Sequence, residues 1–368
     1  MHIGIDTRLT AYRTGGISTY MRRLITALEV LDLQNTYTIF QSRKAHERAP
    51  TRFNQATLWT PCHHRFERYA LSVELVRHNL DLLHSPDFIP PMRGAKKHII
   101  TVHDLTFLHY PEYLTADSRH YYNDQIQVAV SQADHILVDS NATKSDLIDL
   151  LGVNPDKTTV HMLGVDESFT VLETTFLESM RRKLRLPESY ILFVGTIEPR
   201  KNVRGLLKAY HQLLKRMPTI PPLLLVGRRG WLSDDTVQII ETLRSDEKVI
   251  WRENIADEQL PTVYNLAKVL VTPSFYEGFG FPALEAMACG TIPIVSDRSS
   301  LPEVVGDVGL LIDPDVPETI AEAIEKSLTD IEWYDKMRRA GIERAKQFRW
   351  EQTAAITLSV YQSVGQLL

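Results

Sequence analysis

Short runs of β-branched and apolar residues alternate with longer amphipathic stretches from one end of the chain to the other. In the first half the runs His2–Ile5, Thr36–Phe40, Leu82–His84, Ile99–His103, Ile136–Asp139 and Thr159–Met162 predict strands. After a polar gap they resume at Ile191–Val194, Leu223–Val226, Val249–Trp251, Val269–Thr272, Thr291–Val295 and Leu310–Ile312. Between them the spacing predicts helices, as at Ser18–Val30 and Val203–Met217. Strand–helix alternation of this kind implies an α/β fold with parallel sheets covered by helices on both faces. Nearly continuous apolar strands such as Ile191-Leu192-Phe193-Val194 suit sheets buried on both sides.

The gap, about Gly164 to Glu188, is polar and charged and carries Pro187 before the next strand. It reads as a linker between two Rossmann-like domains, residues 1–166 and 167–349. The last stretch, 350–368, is helical in pattern and mostly uncharged, with Ala354, Ile356, Leu358, Val360 and Tyr361 among its apolar residues. We expect it to pack back on the first domain. Of the 13 histidines only His211 lies beyond the gap, so the first half is the candidate for the more variable partner.

Composition narrows the picture without changing it. A chain of 368 residues, at roughly 150 per domain, suits two domains. Apolar residues make up 43% and charged residues 24%, which excludes disorder and a fibrous repeat. Lys and Arg total 41 against 46 Asp and Glu, a net charge of −5, so binding of nucleic acid through global charge is not expected. Cys62 and Cys289 make no disulfide framework and no zinc spacing; they read as free thiols in a reducing compartment. The start, Met1-His2-Ile3-Gly4-Ile5-Asp6, has no basic segment or cleavage site, and no apolar run is long enough to span a bilayer. A soluble cytoplasmic protein is expected.

The chemistry concentrates where strands run into glycine-bearing loops. Pro273 to Ala286 leaves a strand at Thr272, passes Glu277-Gly278-Phe279-Gly280-Phe281, and enters a helix with Pro282 in its first turn. Backbone N–H groups at such a helix start attract anions. Gly278-x-Gly280-x-x-Ala283, with Asp297 beyond the next strand, also matches a dinucleotide fingerprint. Glu277 directly before the first glycine argues against it, because a carboxylate there repels a pyrophosphate. The same carboxylate accepts hydrogen bonds from neighbouring sugar hydroxyls, and Glu285, about one turn into the helix, suits a ribose. The competing reading is two surface glutamates beside a helix start.

Other strand ends carry cations or close-approach glycines. Gly195-Thr196-Ile197-Glu198-Pro199-Arg200-Lys201-Asn202 puts adjacent cations where a diphosphate could be neutralised. Gly227-Arg228-Arg229-Gly230-Trp231 adds positive charge at another strand end. In the first half Arg13-Thr14-Gly15-Gly16 joins the first strand to the first helix, and His103-Asp104 ends a strand. No Walker A sequence, G-x-S-x-G elbow or Cys/His metal cluster is present, and Cys62-His63-His64 is too compact for a metal site without distant ligands.

Together these motifs resemble the retaining glycosyltransferases of family 4, which have the GT-B fold of two Rossmann-like domains facing each other across a cleft. Glu277 and Glu285 reproduce that family's E-x7-E motif, including Gly-Phe-Gly-Phe-Pro between them. Met287-Ala288-Cys289-Gly290-Thr291-Ile292-Pro293-Ile294-Val295 and Leu301-Pro302-Glu303-Val304-Val305-Gly306 are also similar, as is the loop from Gly195 to Asn202. The resemblance implies that Glu277 binds donor hexose hydroxyls with the backbone of Gly278, Phe279 and Gly280, followed by Phe281. It implies that Glu285 holds the nucleotide ribose and Lys201 the leaving diphosphate, with Arg200 or Arg228 helping beside Gly227. His103 would contact the hexose near the reaction centre, Asp104 would face the acceptor, and Gly15 and Gly16 would let the diphosphate approach the first domain. Neither a metal nor a resident cofactor is implied.

Two departures matter. The arginine that many members carry after the glycine of the diphosphate loop is here Thr196, so a second phosphate cation must come from Arg200 or Arg228. The base-binding Gly-Tyr-Val is here Glu253-Asn254-Ile255, which leaves the base open. The motifs look most like bacterial mannosyltransferases of polysaccharide assembly. The expected donor is therefore GDP-mannose, with a UDP-hexose next, and the acceptor a glycan or lipid-linked glycan. A nucleotide-sugar epimerase, a non-enzymatic bilobal sugar-binding protein and an NAD-dependent dehydrogenase are the competing classes. From Gln41 to Arg77 the cations Arg43, Lys44, Arg48, Arg52, Arg65, Arg68 and Arg77 outnumber Glu47, Glu67 and Glu74. With His63, His64, Phe66 and Tyr69 they form a candidate patch for peripheral contact with the inner membrane face, against the plain reading of a solvated helix face.

Overall fold

The computed structural model describes residues 1–11, 15–45, 49–64, 66–244 and 248–367. The chain forms two units, Met1–Pro111 with Thr115–Gly164 and Arg349–Leu368, and Glu112–Leu114 with Val165–Phe348. It leaves the first unit after Gly164 and returns at Arg349, so the C-terminal helix Trp350–Gly365 belongs with the first sheet. The crossing is tight. A Cβ on Gly164 would lie 2.3 Å from the Trp350 backbone nitrogen.

The first unit holds a seven-stranded parallel sheet of β1 (His2–Asp6), β2 (Thr36–Ser42), β3 (Asn54–Leu58), β4 (Leu80–Ser85), β5 (Ala95–Val102), β6 (His135–Val138) and β7 (Thr158–Val160). Their order is β3-β2-β1-β4-β5-β6-β7, with Ile5 opposite both Ile39 and His84. The second unit holds a six-stranded parallel sheet of β8 (Tyr190–Val194), β9 (Leu223–Val226), β10 (Val249–Arg252), β11 (Ala267–Thr272), β12 (Ile292–Ser296) and β13 (Leu310–Ile312). Their order is β10-β9-β8-β11-β12-β13. The order reverses at β1/β4 in one sheet and at β8/β11 in the other. Loops leaving these paired strands diverge to opposite faces, which opens a crevice at the carboxyl ends of the strands.

Two features depart from the hydrophobic pattern. Strand β3, Asn-Gln-Ala-Thr-Leu, has too little apolar character to be legible, and it survives as an edge strand paired only with β2. The segment expected as linker contains a helix, Thr174–Leu184, none of whose residues is buried, so its composition reads as polar.

The helix Val203–Arg216 shows why the second sheet is stable. Val203, Leu206, Leu207, Tyr210 and Leu213 recur at three- and four-residue spacing and are buried against Ile191, Phe193 and Ile324. Each leucine so buried contributes ~2 kcal/mol. Asn202 caps the helix, its side chain accepting from the Gly205 amide at 3.1 Å, while Lys215 and Arg216 complement the dipole at the other end.

Candidate functional site

The second unit gathers its site at the β8/β11 switch point. After β8 the chain makes a tight turn, Pro199–Lys201, ended by Asn202 in left-handed conformation at φ 52°. After β11 it runs through Pro273 to Gly280 before the helix Phe281–Ala288. The Phe275 amide donates to the Arg200 carbonyl at 2.9 Å and ties the two loops together.

Glu277 is buried where they meet. Lys201 Nζ lies 2.6 Å from Oε1 and Arg200 Nη1 2.8 Å from Oε2, and Ser274 Oγ donates to Oε1 at 2.6 Å. Burial alone would raise this carboxyl. The charges of Lys201 and Arg200, with the hydrogen bonds of Lys201 and Ser274, outweigh it and hold the group at about 2. Arg200 also donates to Glu198 Oε1 at 2.9 Å and to the Tyr276 carbonyl at 2.7 Å. From the other side Ser299 Oγ accepts from the Glu277 amide at 2.9 Å, and Ser300 Oγ donates to the carbonyls of Glu277 and Phe279, both at 2.8 Å. The carboxylate is therefore ionised at neutral pH and held in place by these partners.

Glu285, one helical stretch on, is separate from this group. Tyr264 donates to its Oε2 at 2.7 Å. Burial raises the carboxyl to about 7, with the hydrogen bond from Tyr264 working against it and the charge of Asp257 adding to it. One oxygen is thus anchored, and the pair can present the other to a hydroxyl donor.

Glycines at the strand ends serve packing as much as ligand approach. Gly227 packs on the Gly195 backbone so closely that a Cβ on it would stand 2.0 Å from the Gly195 carbonyl oxygen. Gly280 has φ 107°, and a Cβ there would meet Leu301 Cδ2 at 2.6 Å. Gly278 is partly exposed beside it, Phe279 is buried with its ring 5.4 Å from Phe281, and the Phe279 carbonyl is taken by Ser300. Arg228 is exposed and makes no ion pair among the described residues, so its guanidinium is available to an anion. Asn254 is exposed and Ile255 partly buried in the loop after β10, two strands from β8 and apart from the Glu277 group.

In the first unit Gly15 precedes the helix Gly16–Leu31 and stands in open space, while Arg13 and Thr14 lie outside the described residues. His103 follows β5 directly. Its Nδ1 is 2.6 Å from Asp139 Oδ2 and its Nε2 2.8 Å from the Pro86 carbonyl. Burial would lower this imidazole, but the charge and hydrogen bond of Asp139, then the charge of Asp87, carry it to about 9. As an imidazolium it donates through both nitrogens. Contact with a hexose would therefore come from the charge and edge of the ring, not from a free nitrogen. Asp139 Oδ1 also meets His161 Nε2 at 3.1 Å, and His161 Nδ1 meets Thr357 Oγ1 of the C-terminal helix at 3.1 Å. Asp104 turns inward to its own loop, accepting from the Thr106 amide at 3.0 Å.

The structure divides the basic stretch from Gln41 to Arg77 between surface and interior, so Arg68 and Glu67 drop out of the patch expected from the sequence. Arg68 is buried, donating to the Pro90 carbonyl at 3.0 Å and to Gln132. Glu67 is buried against Arg8. Glu47, Arg48 and Arg65 lie outside the described residues. Arg43, Lys44, Arg52 and Arg77 remain exposed, and so does an apolar row of Phe66, Tyr69, Val73 and Val76 at helical spacing on and flanking Glu67–Leu75, with Trp59 under the Arg43 guanidinium.

Sequence reading missed Ser274, Ser299, Ser300, Tyr264, Asp139 and His161. Ser274 lies within the loop singled out, and the two serines directly precede Leu301-Pro302-Glu303, so their proximity to a motif was the available signal. Tyr264, Asp139 and His161 had none. Among the described residues no three His, Cys, Asp or Glu side chains gather to hold a metal, and no helix is long and apolar enough to cross a membrane.

Two open parallel sheets, each covered by helices and each with a switch-point crevice, are the Rossmann-like domains of the GT-B class. Residues 178–347 match the family described as Glycosyl transferases group 1, and residues 14–169 match Glycosyltransferase Family 4. The O-antigen chain mannosyltransferase B of Escherichia coli is 36% identical over 282 residues, covering 76% of this chain and 74% of that protein. The serotype-specific mannosyltransferase WbdA of Escherichia coli is 30% identical over 284 residues, covering 76% of this chain but only 35% of that longer protein. The sucrose-phosphate synthase of Thermosynechococcus elongatus shares the fold, with a TM-score of 0.79 at 23% identity and full coverage of both chains. The chain belongs to glycosyltransferase family 4 and is an enzyme of the hexosyltransferase kind.

Proposed function

We propose that the enzyme transfers mannose from GDP-mannose, with retention at the anomeric carbon, to a glycan or lipid-linked acceptor during assembly of a cell-surface polysaccharide. The observation that carries this reading is the buried Glu277 carboxylate clasped by Lys201 and Arg200 at the β8/β11 switch point. One carboxylate for sugar hydroxyls beside two cations for a diphosphate is what a nucleotide-sugar donor requires. The mannosyltransferase names of two Escherichia coli relatives support the choice of hexose.

Breaking the anomeric C–O bond builds positive charge on the sugar and negative charge on the departing diphosphate. Lys201 spends one N–H on Glu277 and has two more to offer a phosphate oxygen. Arg228 adds a second cation, and the amides at the start of Phe281–Ala288 add oriented dipoles. Such preorganised charge supplies most of the rate enhancement. Glu277, ionised and held by three donors, is a poor base and a poor nucleophile. Retention then follows from acceptor attack on the face the diphosphate leaves, with a phosphate oxygen taking the acceptor proton. Gly227 would set the diphosphate loop, Glu285 the ribose, and Asn254 and Ile255 the base.

The enzyme would work in the cytoplasm at the inner membrane face. Its two cysteines are free, and the stripe Phe66, Tyr69, Val73 and Val76 offers an apolar surface. Calorimetric titration with GDP and UDP, followed by transfer assays with both sugar nucleotides, tests the donor. GDP binding with mannose transfer is expected. Tight UDP binding without GDP binding would replace the donor by a UDP-hexose, and binding of neither would remove the transferase assignment of this site.

A further inference from the structure

The turn after β12 holds its backbone in a conformation that its own residues do not favour. Ser299 stands in left-handed conformation at φ 52°, a region that residues other than glycine and asparagine seldom enter. The segment Asp297-Arg298-Ser299-Ser300 contains neither. Such a conformation persists only where the surrounding structure over-determines it.

The bonds that impose it come from two sides. Before Ser299, the Asp297 amide donates to the Ile312 carbonyl at 2.9 Å and the Arg298 amide to Ser296 Oγ at 3.2 Å. Arg298 reaches the loop after β13, with Nη2 2.9 Å from Asp313 Oδ1 and 2.6 Å from Asp315 Oδ2. Between those aspartates the Pro314 carbonyl accepts from Asn202 Nδ2 at 2.7 Å. Asn202 directly follows Lys201, the partner of Glu277, so the chain of bonds closes on the donor site. The Arg298 ion pairs are partly exposed and screened by water, and contribute little. Asn202 and Ser300 are buried, so their bonds set the geometry.

What the turn grips is the backbone of Glu277 to Phe279. Ser299 Oγ accepts from the Glu277 amide, and Ser300 Oγ donates its one proton to the carbonyls of Glu277 and Phe279. In an extended chain these two serines would project to opposite sides. The left-handed turn lets both address Glu277. Ser300 also stands at the start of the helix Leu301–Val305, where a serine ordinarily caps, yet its hydroxyl makes no capping bond there. With the two carbonyls drawn to one oxygen, the amides of Gly278, Phe279 and Gly280 have no backbone acceptor among the described residues.

We infer that Ser299 and Ser300 are positioning residues of the transfer reaction. They hold residues 277–279 so that the Glu277 carboxylate and the amides after it are ordered before the donor sugar arrives, and each acts through the backbone it grips. Order set in advance is what lets fixed dipoles act on a transition state without reorganising. The catalytic consequence rests on the reading of Glu277 as a ligand of the donor sugar; the grip itself does not.

Ser299→Gly and Ser300→Ala test it in the full chain, beside wild type and Glu277→Ala. Glycine suits φ 52°, so Ser299→Gly relieves the backbone while deleting the acceptor, and should melt close to wild type. It carries the test even if Ser300→Ala folds poorly. Hydrogen exchange at the Glu277 amide should be ~10-fold faster in Ser299→Gly, with β8 and β9 unchanged. Turnover of GDP-mannose and of UDP-glucose, read as nucleoside diphosphate release, should fall ~10–10²-fold in kcat for the nucleotide that wild type uses. A fall in kcat at an unchanged melting temperature is what a merely structural serine would not produce. Exchange as slow as wild type in Ser299→Gly, or faster exchange with full kcat, overturns the positioning role. If wild type turns over neither sugar nucleotide, or Glu277→Ala keeps full turnover, the donor reading fails instead, and faster exchange would still establish the grip.

Discussion

Lys201 Nζ stands 2.6 Å from Glu277 Oε1 although 76 residues separate them in the chain. The contact bridges the two loops that diverge from β8 and β11. Neither residue has its properties alone: Lys201 and Arg200 keep a buried carboxylate ionised, and that carboxylate holds two cations at the mouth of the crevice.

Replacing Glu277 by Ala therefore has opposite effects on two observables. Transfer should fall ~10²–10³-fold in kcat, as when a positioned polar group is removed from a transition state. Affinity for the free nucleoside diphosphate should hold or rise, because Lys201 and Arg200 lose the charge that neutralises them. Steady-state kinetics with GDP calorimetry reads both. Transfer within a few-fold of wild type would remove Glu277 from the donor site.

Glu285 gives the donor affinity a pH dependence. Its carboxyl, raised to about 7, accepts from ribose hydroxyls fully only above that pH, so donor KM should rise as pH falls through 7. Tyr264→Phe removes the hydrogen bond that lowers the group, and should move this limb to higher pH. For folding the sign is reversed. A raised carboxyl contributes stability fully below its unfolded value near 4.5 and loses it as pH rises through 7. Glu285→Gln should thus raise Tm at pH 8 and leave it nearly unchanged at pH 4.5, which differential scanning calorimetry measures.

Asp139 links His103 to His161 and, through Thr357, to the C-terminal helix. His103, raised to about 9 by Asp139, contributes stability that is complete below pH 6.5 and is lost as pH rises through 9. Asp139→Asn leaves a buried pair broken, at a cost of ~3–5 kcal/mol. Its Tm deficit should be largest near pH 6 and shrink above pH 9. A deficit independent of pH would mean that His103 is not the ion partner.

Gly227→Ala should damage the diphosphate loop without touching a charged group. The new Cβ would stand 2.0 Å from the Gly195 oxygen at φ 146°, so one of the two loops must move. Overpacking of this kind costs ~1–3 kcal/mol. We expect a lower Tm together with weaker GDP binding. Loss of stability with full GDP affinity would make the contact purely structural.

The exposed apolar row on and flanking Glu67–Leu75 predicts binding to anionic vesicles, with exposed Arg77 following it in the chain. Val73→Glu should abolish co-sedimentation with such vesicles while leaving the melting temperature within a degree or two, since Val73 is 79% exposed. Retention of Val73→Glu on the vesicles, or no binding by wild type, would leave the helix face merely solvated.

The chain by itself determined the architecture, because strands buried on both faces must be apolar throughout and helices on a sheet must show a three-to-four period. Ile191-Leu192-Phe193-Val194 and the stripe from Val203 to Leu213 carry that signal locally. It failed at β3, a polar edge strand paired on one side, and at Thr174–Leu184, which buries nothing. Glu277, Glu285, Arg200 and Lys201 were legible for a similar reason: each stands in a contiguous motif at a strand end. What each one is bonded to was not legible. Lys201 meets Glu277 only because β8 and β11 are neighbours at the switch of the sheet, a fact of strand order that no local pattern encodes. Ser300, Tyr264 and Asp139 belong to the same class, polar residues without a motif whose roles come from the partner that the fold puts beside them.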